Sequence, residues 1–264
     1  MQATKTQTGA GTAAEQPVAG GIAALADLYV GEFAHYRDVL VLADDPRDAL
    51  PLVELLLPRT LDEQLLRFRP QAVGEDRRAL VSHWSRHYFV RLIPPVVAAA
   101  TLLDRRLPLR LEQLAVVLDD QGQPSAFKLL NDGERFAESS GPFGRFEHLI
   151  EDNLAPFIEA LGRYAGVAPK VLWSNAGNYF EAVFGQLASR ASQAQLADGR
   201  ALVDARYLPD GRRNPLYRPV RYVELENADG RSRIWRQRRL CCIRYLLDGV
   251  ALCPNCPRLD APPQ

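Results

Sequence analysis

Apolar residues recur in stripes along the N-terminal part of the chain, and prolines separate the stripes. Between residues 22 and 42 they return every three or four positions, which predicts an amphipathic helix. The positions of this stripe are Ile22, Leu25, Tyr29, Phe33, Tyr36 and Leu40. Pro46 predicts the start of a second helix, which runs to Leu57 and ends at Pro58. Residues 59–68 predict a third, short helix.

A helix with an aromatic face is predicted over residues 75–92, because apolar side chains there lie four positions apart. These side chains are Leu80, Trp84, Tyr88 and Leu92. The pair Pro94–Pro95 is expected to break or kink the helix, and a further turn or two leads to Leu103. His83 and His87 have the spacing of a metal-binding pair but lack the Glu of a zinc protease motif. We therefore expect both to pack beside the aromatic face.

A β-hairpin is predicted by residues 114–118 and 126–130, which flank the polar segment DDQGQP. Helical patterns resume at about residues 146–164 and 169–195. Both segments carry apolar residues at helical spacing, so the body of the chain is predicted to be mainly helical.

The C-terminal part changes character. Val220–Leu225 is predicted as a strand, Asp229–Gly230 as a turn, and Arg231–Trp235 as the returning strand. Asp248–Gly249 is a second turn signal. The predicted fold class is therefore α+β: a mainly helical body, a central β-hairpin or small sheet, and a C-terminal Arg-rich β-hairpin that carries the cysteines.

Composition and charge narrow the class of protein. The chain has 264 residues, of which 47% are hydrophobic and 24% charged, values that exclude disorder of the whole chain. The 32 Lys and Arg balance the 32 Asp and Glu, so the broad basic excess of a nucleic-acid binder is absent. The balance is uneven, because residues 201–264 hold 12 Arg against 7 Asp and Glu, a net charge of +5.

The organisation of the chain follows from the same patterns. Residues 1–20 lack the apolar run of a secretory signal and predict a flexible tail. A helical body at 21–200 and a basic segment at 201–264 follow, and we expect 21–264 to form one compact unit. No segment reaches the ~20 apolar residues of a membrane span. We therefore expect a cytoplasmic protein, in which clustered cysteines bind metal more often than they form disulfides.

All the cysteines of the chain lie between residues 241 and 256. Their pattern is C-C-x10-C-x2-C, formed by Cys241, Cys242, Cys253 and Cys256. Four thiolates complete either a tetrahedral zinc site or one [2Fe–2S] cluster. If Asp248–Gly249 is a hairpin turn, Cys241 lies opposite Cys256, and Pro254 ends the regular pairing. All four sulfurs could then reach one site.

The residues alone leave several alternatives open for these cysteines. Two disulfides would need an oxidising compartment. Structural zinc usually uses two separated C-x2-C pairs, and an adjacent pair is awkward for chelating one ion. Four unrelated buried thiols would leave the C-P-N-C-P spacing without a reason.

The cysteine pattern resembles that of the FhuF-type ferric-siderophore reductases, whose signature near the C-terminus is C-C-x10-C-x2-C. Weaker similarity extends to HWSRHYFVRLIPP at residues 83–95 and to LWSNAGNYF at residues 172–180. The resemblance thus covers most of the chain after the tail. It implies that the four cysteines hold one [2Fe–2S] cluster.

The resemblance also implies a function. Such a protein passes one electron at a time to the Fe(III) of a siderophore, for which we expect the hydroxamate type, and releases Fe(II) in the cytoplasm. The sequence contains no GxGxxG or Walker motif, so the electrons are expected from a partner such as a ferredoxin or a flavodoxin. Peripheral contact with a siderophore transporter is compatible with this role.

Arginines surround the cysteines. They are Arg231, Arg233, Arg236, Arg238, Arg239 and Arg244. Positive charge favours the reduced, more negative cluster and would attract an acidic electron donor, whereas Pro254 and Pro257 remove N–H donors beside two of the cysteines. The predicted docking residues are Arg236, Arg238, Arg239, Arg244, Trp84 and Asn175. Asn175 is included because asparagine is a poor helix former.

Two other functions compete with the reductase. A zinc-stabilised module could bind ferric chelates without redox activity. A siderophore-biosynthesis enzyme of the aerobactin-synthetase type would be about twice as long and would bind ATP, and it would not need the cysteines. An iron–sulfur protein absorbs visible light and a zinc protein does not, so colour distinguishes the reductase from the zinc module.

Overall fold

The computed structural model describes residues 21–136, 140–226 and 232–263. The predicted tail at residues 1–20 lies outside the described residues. Helices predominate and are joined by small sheets, which confirms the predicted α+β class.

Short elements form the N-terminal part of the described chain. Two 3-10 helices, Ala23–Leu28 and Gly31–Tyr36, replace the single predicted helix, and strand β1 (Leu40–Leu42) follows them. The break falls at Gly31, whose φ of +57° is a conformation that glycine adopts without steric cost. The apolar stripe is the buried side, as predicted, but the prediction of one continuous α-helix was wrong.

Pro58 begins a helix rather than ending one. Strand β2 (Leu50–Pro51) leads into a single turn, α1 (Leu52–Leu55), and Pro58 then occupies the first turn of α2 (Pro58–Phe68). Proline suits that position because the first N–H groups of a helix have no intrahelical acceptor. The predicted second helix is thus reduced to one turn, and the third is confirmed.

The central element is helix α3 (Arg77–Leu102), whose N-terminus is capped by the Asp76 carboxylate. It continues through Pro94 and Pro95, so of the predicted break or kink the break is wrong. A proline inside a helix costs about 3 kcal/mol. The residues from Leu92 to Thr101 are all buried, and the burial of this apolar segment on every side offsets that cost.

A four-stranded sheet packs against α3. The remaining strands of this region are β3 (Arg105–Arg106), β4 (Ala115–Leu118), β5 (Pro124–Leu129) and β6 (Glu134–Arg135). The order is β1-β5-β4-β2, with β1 parallel to β5 and the other pairs antiparallel, while β3 and β6 form a separate pair. The predicted central hairpin is β4–β5, and it is confirmed.

Helices cover the other side of α3. They are α4 (Gly141–Leu149), a π-helical turn (Ile150–Leu154), α5 (Ala155–Ala165), α6 (Pro169–Leu187) and α7 (Gln193–Asp204). The helix predicted over 169–195 is divided, because the Ser192 side chain and Gln195 form a capping box that starts α7. Helix α6 lies along α3, and residues of both helices contact the cysteine segment.

The Arg-rich hairpin consists of β7 (Val220–Glu226) and β8 (Ser232–Arg238), paired in antiparallel register. It confirms the predicted hairpin, although the predicted turn at Asp229–Gly230 lies outside the described residues. The second hairpin expected around Asp248–Gly249 is wrong, because residues 239–263 contain one 3-10 turn and no strand. The backbone of Asp248 is held instead by Arg69 and Glu75.

Candidate functional site

The four cysteines meet directly after β8. Cys242, Cys253 and Cys256 are buried and form a small cluster with the half-buried Cys241. The Sγ atoms of Cys242 and Cys253 lie 3.4 Å apart. No disulfide joins any two of the four. The predicted convergence of the cysteines is therefore observed, although it does not arise from a ladder of paired strands.

Hydrogen bonds from helices α3 and α6 hold the cysteine segment in place. Ser82 Oγ on α3 donates to the Cys242 carbonyl oxygen at 2.7 Å, and Ser174 Oγ on α6 donates to the Leu240 carbonyl oxygen at 3.0 Å. Asn255, between the last two cysteines, donates from Nδ2 to Asn178 Oδ1 at 2.8 Å. Both cysteine pairs are thus anchored to the helical body.

Strand β8 supports the second pair. The backbone N–H of Arg238 donates to the Asn255 carbonyl oxygen at 2.9 Å. The buried Gln237 Nε2 donates to the carbonyl oxygens of Cys256 and Leu259, at 3.1 and 2.8 Å. These bonds satisfy the backbone of a loop that forms no ladder of its own.

The adjacent pair of cysteines is followed by a strained turn. Ile243 has φ +55°, a left-handed conformation that is rare for a β-branched residue. Its backbone N–H donates to Cys241 Sγ at 3.4 Å. Neighbouring side chains of an extended strand point to opposite faces, but here Cys241 and Cys242 contribute to one cluster. Strain of this kind concentrates at functional sites.

A buried guanidinium lies beside the sulfurs. Arg238 is 1% exposed, and its Nη2 donates to Asn175 Oδ1 at 2.6 Å and to Ser174 Oγ at 3.1 Å. Burial lowers the pKa of Arg238, and the nearby Cys242 and Cys253 oppose that shift. The side chain therefore places positive charge at the cluster and is not available to a docking partner.

Arg86 of α3 is a second cation at the site, and it is absent from the predicted set of arginines. Burial opposes its charge, but Tyr179, Cys253 and Cys242 outweigh burial and raise the pKa of Arg86. The sequence contains one indication that Arg86 has a role in the interior: it is the only Asp, Glu, Lys or Arg between residues 79 and 90. A lone charge on a buried helix face needs a partner.

Four thiols grouped at one place match the donor set of a [2Fe–2S] cluster. Hydrogen bonds from Cys241 and Cys253, together with the charge of Arg238, lower the pKa of Cys242. The same hydrogen bonds raise the pKa of the two donor thiols, Cys241 and Cys253. Among the described residues, no three or more His, Cys, Asp or Glu side chains are placed to hold a metal ion. A [2Fe–2S] cluster takes four thiolates but divides them between two iron atoms.

Three predicted docking residues are buried, which corrects that assignment. Trp84 is fully buried, and its Nε1 donates to the Gly122 carbonyl oxygen at 2.8 Å. Asn175 is also fully buried, and its Nδ2 donates to the carbonyl and hydroxyl oxygens of Ser82, both at 3.0 Å. Together with Arg238 they support the site from inside and cannot contact a siderophore at the surface.

The other three predicted docking residues differ in accessibility. Arg236 forms a salt bridge with Glu181 at 2.5 Å and donates a hydrogen bond to the carbonyl oxygen of Asn178. Arg244 is half-buried and donates from Nε to the Ala251 carbonyl oxygen at 2.8 Å. Arg239 is exposed at the end of β8. Arg239 is thus the most available cation of the predicted set.

The rings of His83 and His87 both pack edge-on against the Phe68 ring, with each centroid 5.2 Å from that of Phe68 and the two histidine centroids 6.0 Å apart. Burial, followed by the charge of Arg86, lowers the pKa of both histidines to about 4. Neither belongs to a group of side chains, within the described chain, that could hold a metal ion.

The fold and the thiol site define an iron–sulfur protein. Residues 238–258, which include all four cysteines, match the family described as "FhuF 2Fe-2S C-terminal domain", and the chain therefore carries a [2Fe–2S] domain. Residues 82–230 match the family described as "Ferric iron reductase FhuF-like transporter". The chain belongs to this FhuF family, as its cysteine pattern indicated.

A curated relative extends the comparison. The ferric siderophore reductase of Escherichia coli (strain K12) is 27% identical to this chain over 221 residues, which are 80% of each chain. The description of the larger family contains the word transporter, but none of the helices in the described ranges has the length and apolarity to cross a bilayer.

Proposed function

We propose that this chain reduces Fe(III) held in a siderophore, and that Cys241, Cys242, Cys253 and Cys256 are the ligands of its [2Fe–2S] cluster. The observation that carries the proposal is the group of four thiols, three of them buried and two with Sγ atoms 3.4 Å apart, on which the charges of Arg86 and Arg238 act. The bound cluster supplies one-electron chemistry, which is what conversion of Fe(III) to Fe(II) requires.

The reaction balances without covalent chemistry on the protein. One electron from an external donor is consumed for each Fe(III) that becomes Fe(II), and no bond to a side chain forms or breaks. Oxygen chelators hold Fe(II) less tightly than the harder Fe(III), so reduction releases the metal. A ferredoxin or flavodoxin would supply the electron, and release would take place in the cytoplasm, with contact to a siderophore transporter where the chelate enters.

The residues of the chain have separate tasks in this proposal. Arg238 and Arg86 offset the negative charge of four thiolates and favour a further negative charge on reduction. Ser82 and Ser174 fix the backbone on both sides of the adjacent cysteines. Cys241 is the least buried cysteine, so electrons would leave the site on its side.

Anaerobic purification followed by iron, zinc and sulfide analysis tests the proposal. We expect iron and labile sulfide, a visible absorption spectrum, and an EPR signal after reduction. We also expect reduction of a ferric siderophore in the presence of a chemical reductant, measured by trapping Fe(II). One zinc per chain without sulfide would overturn it.

A pair of variants assigns the ligands. Cys253→Ser should lose iron, sulfide and ferric reduction together, because a hydroxyl is a poor ligand for the cluster. Ser189→Cys adds a thiol at an exposed position outside the site and should leave all three unchanged. Full ferric reduction by Cys253→Ser would remove that residue from the electron path.

A further inference from the structure

A cationic cavity opens beside the segment that leads into the cysteines. It measures about 710 Å³ and lies between the start of α6, the chain that follows α7, and the end of β8. Five cationic side chains line it, and they are Lys170, Arg206, Arg213, Arg218 and Arg239. Among the described residues, no Asp or Glu lines the cavity.

Most of this positive charge is not neutralised by the protein. Arg218 donates to Asp204 at 3.0 Å, but the other four have no ion pair within the described chain. Arg206 and Arg213 lie near the ring of Tyr207, at 5.7 and 6.0 Å from its centroid. A concave surface lined by one sign of charge focuses the field and attracts ligands of the opposite charge.

The cavity adjoins the residue that precedes the least buried cysteine. Leu240 lines it and is followed directly by Cys241. Ser174 also lines it, donating to the Leu240 carbonyl oxygen and accepting from Arg238. A ligand in this cavity would contact the chain segment that leads directly into Cys241.

The shape and apolar lining favour a small molecule over a protein surface. Trp173 and Tyr217 contribute aromatic groups, and Pro215 and Pro219 add apolar surface. The volume falls within the range of about 300–1,000 Å³ that is usual for small-molecule sites. A docking surface for an electron-donor protein does not need a concave site of this kind.

We infer that this cavity binds the ferric siderophore and selects chelates that carry net negative charge, such as those with catecholate or hydroxycarboxylate ligands. The inference rests on the proposed function and departs from the hydroxamate type that the resemblance implies. Three hydroxamates neutralise Fe(III), whereas catecholates and hydroxycarboxylates leave the complex anionic. Uncompensated arginine and lysine side chains would stabilise only the anionic complex.

A charge series on one chelate tests the selectivity without redox chemistry. The probe is a trihydroxamate that carries a pendant amine, loaded with redox-inert Ga(III), and used in the cationic amine, neutral acetyl and anionic succinyl forms. Equilibrium dialysis against the cluster-loaded protein should show the anionic form binding at least about tenfold more tightly than the neutral form. The preference should weaken as salt rises. Equal binding of the three forms would overturn the inference.

Variants locate the preference in the cavity. Lys170→Gln and Arg213→Gln each remove one exposed cation and should each reduce the preference several-fold. Arg59→Gln removes an arginine of α2 whose side chain is 93% exposed and outside the cavity, and should leave the preference unchanged. An unchanged preference in both cavity variants would contradict the assignment.

Reduction assays separate failure of this inference from failure of the proposed function. When the same series of chelates is loaded with Fe(III) and reduction is measured, a lower KM for the anionic form supports both the reductase function and the selectivity of the cavity. Equal KM values for all forms would leave the reductase function intact and overturn the selectivity. No reduction of any form would overturn the reductase function, while the Ga(III) preference would still support an anion-binding cavity. If the cavity variants slowed only electron uptake from an acidic ferredoxin, the cavity would serve the donor and the inference would be wrong.

Discussion

The hydroxyl group of Ser82 donates a 2.7 Å hydrogen bond to the backbone carbonyl oxygen of Cys242, which is 160 residues away in the sequence. The same hydroxyl accepts a hydrogen bond from Asn175 Nδ2, and Asn175 Oδ1 accepts from Arg238. One buried network thus joins α3, α6, β8 and the adjacent cysteines. The position of the thiols depends on residues that are far from them in the chain.

Ser82→Ala should weaken both the fold and the cluster. The substitution leaves the buried carbonyl oxygen of Cys242 without its donor, a loss of about 1–3 kcal/mol in the free energy of unfolding. Urea unfolding measures that loss, and the rate at which visible absorbance bleaches in air measures cluster retention. Ser125→Ala removes a similar bond, from Ser125 Oγ to the Val117 carbonyl oxygen in the central hairpin, and serves as the control. Equal bleaching rates in the two variants would contradict a role for Ser82 at the site.

Arg238→Gln should lower the reduction potential of the cluster. The buried charge of Arg238 stabilises the more negative, reduced state, so its removal favours the oxidised state. We expect the reduction potential to fall by several tens of millivolts. For comparison, about 59 mV corresponds to a tenfold change in a one-electron equilibrium. Potentiometric titration followed by EPR measures the change.

Two further variants separate charge from packing at this position. Arg238→Lys keeps the positive charge and should retain most of the potential. Arg163→Gln removes an arginine of α5 whose side chain is 73% exposed and should have no effect. If Arg238→Lys lowered the potential as far as Arg238→Gln, shape rather than charge would be responsible.

His148 should make the protein sensitive to acid. Burial, and then the charge of Arg106, lowers its pKa from 6.5 to about 3, and neither ring nitrogen has a hydrogen-bond partner among the described residues. Because the folded-state pKa lies below the unfolded-state value, the unfolded chain binds the extra proton between about pH 6.5 and 3. Stability therefore falls as the pH falls through this window, by up to about 1.4 kcal/mol per pH unit.

His148→Leu should remove that contribution. Unfolding free energies measured from pH 7 to pH 4.5 should decline less steeply with falling pH in the variant. The difference in slope should reach up to about 1.4 kcal/mol per pH unit, which corresponds to one proton. The two proteins differ in no other titratable group, so the difference between the two curves isolates His148. Curves of the same slope would show that His148 is not held neutral.

Two glycines in neighbouring helices should respond oppositely to alanine. A methyl group at Gly185 of α6 meets no atom within 4 Å, whereas one at Gly199 of α7 overlaps the Phe184 ring. Gly185→Ala should raise stability by about 0.5–1 kcal/mol, because it restricts the unfolded backbone. Gly199→Ala should lower stability by about 1–3 kcal/mol through overpacking. Thermal unfolding of the two variants measures the changes in stability, which should have opposite signs. A loss of stability in Gly199→Ala alone would reflect the close packing of α7 against α6.

Local signals predicted several elements correctly. Four-residue spacing identified the aromatic part of α3, and turn residues between β-rich segments identified the central and the Arg-rich hairpins. The same kind of turn signal at Asp248–Gly249 was wrong, because residues 239–263 form no strand. Prolines were harder to interpret. Pro58 starts a helix and Pro94 lies within one, because position relative to the helix start and burial of the surrounding segment decide what a proline does.

The sequence by itself determined the chemistry of this protein. Four cysteines, the only ones in the chain, lie in one short segment among arginines, and their C-C-x10-C-x2-C pattern resembles that of a family with one [2Fe–2S] cluster. Only the tertiary structure decided which side chains surround that centre. Trp84, Asn175 and Arg238 were predicted as docking residues and are buried, while Arg86 was not predicted and its charge acts on Cys242 and Cys253. The physical reason is that spacing along a chain reports local periodicity, whereas burial and charge pairing arise where distant segments pack together.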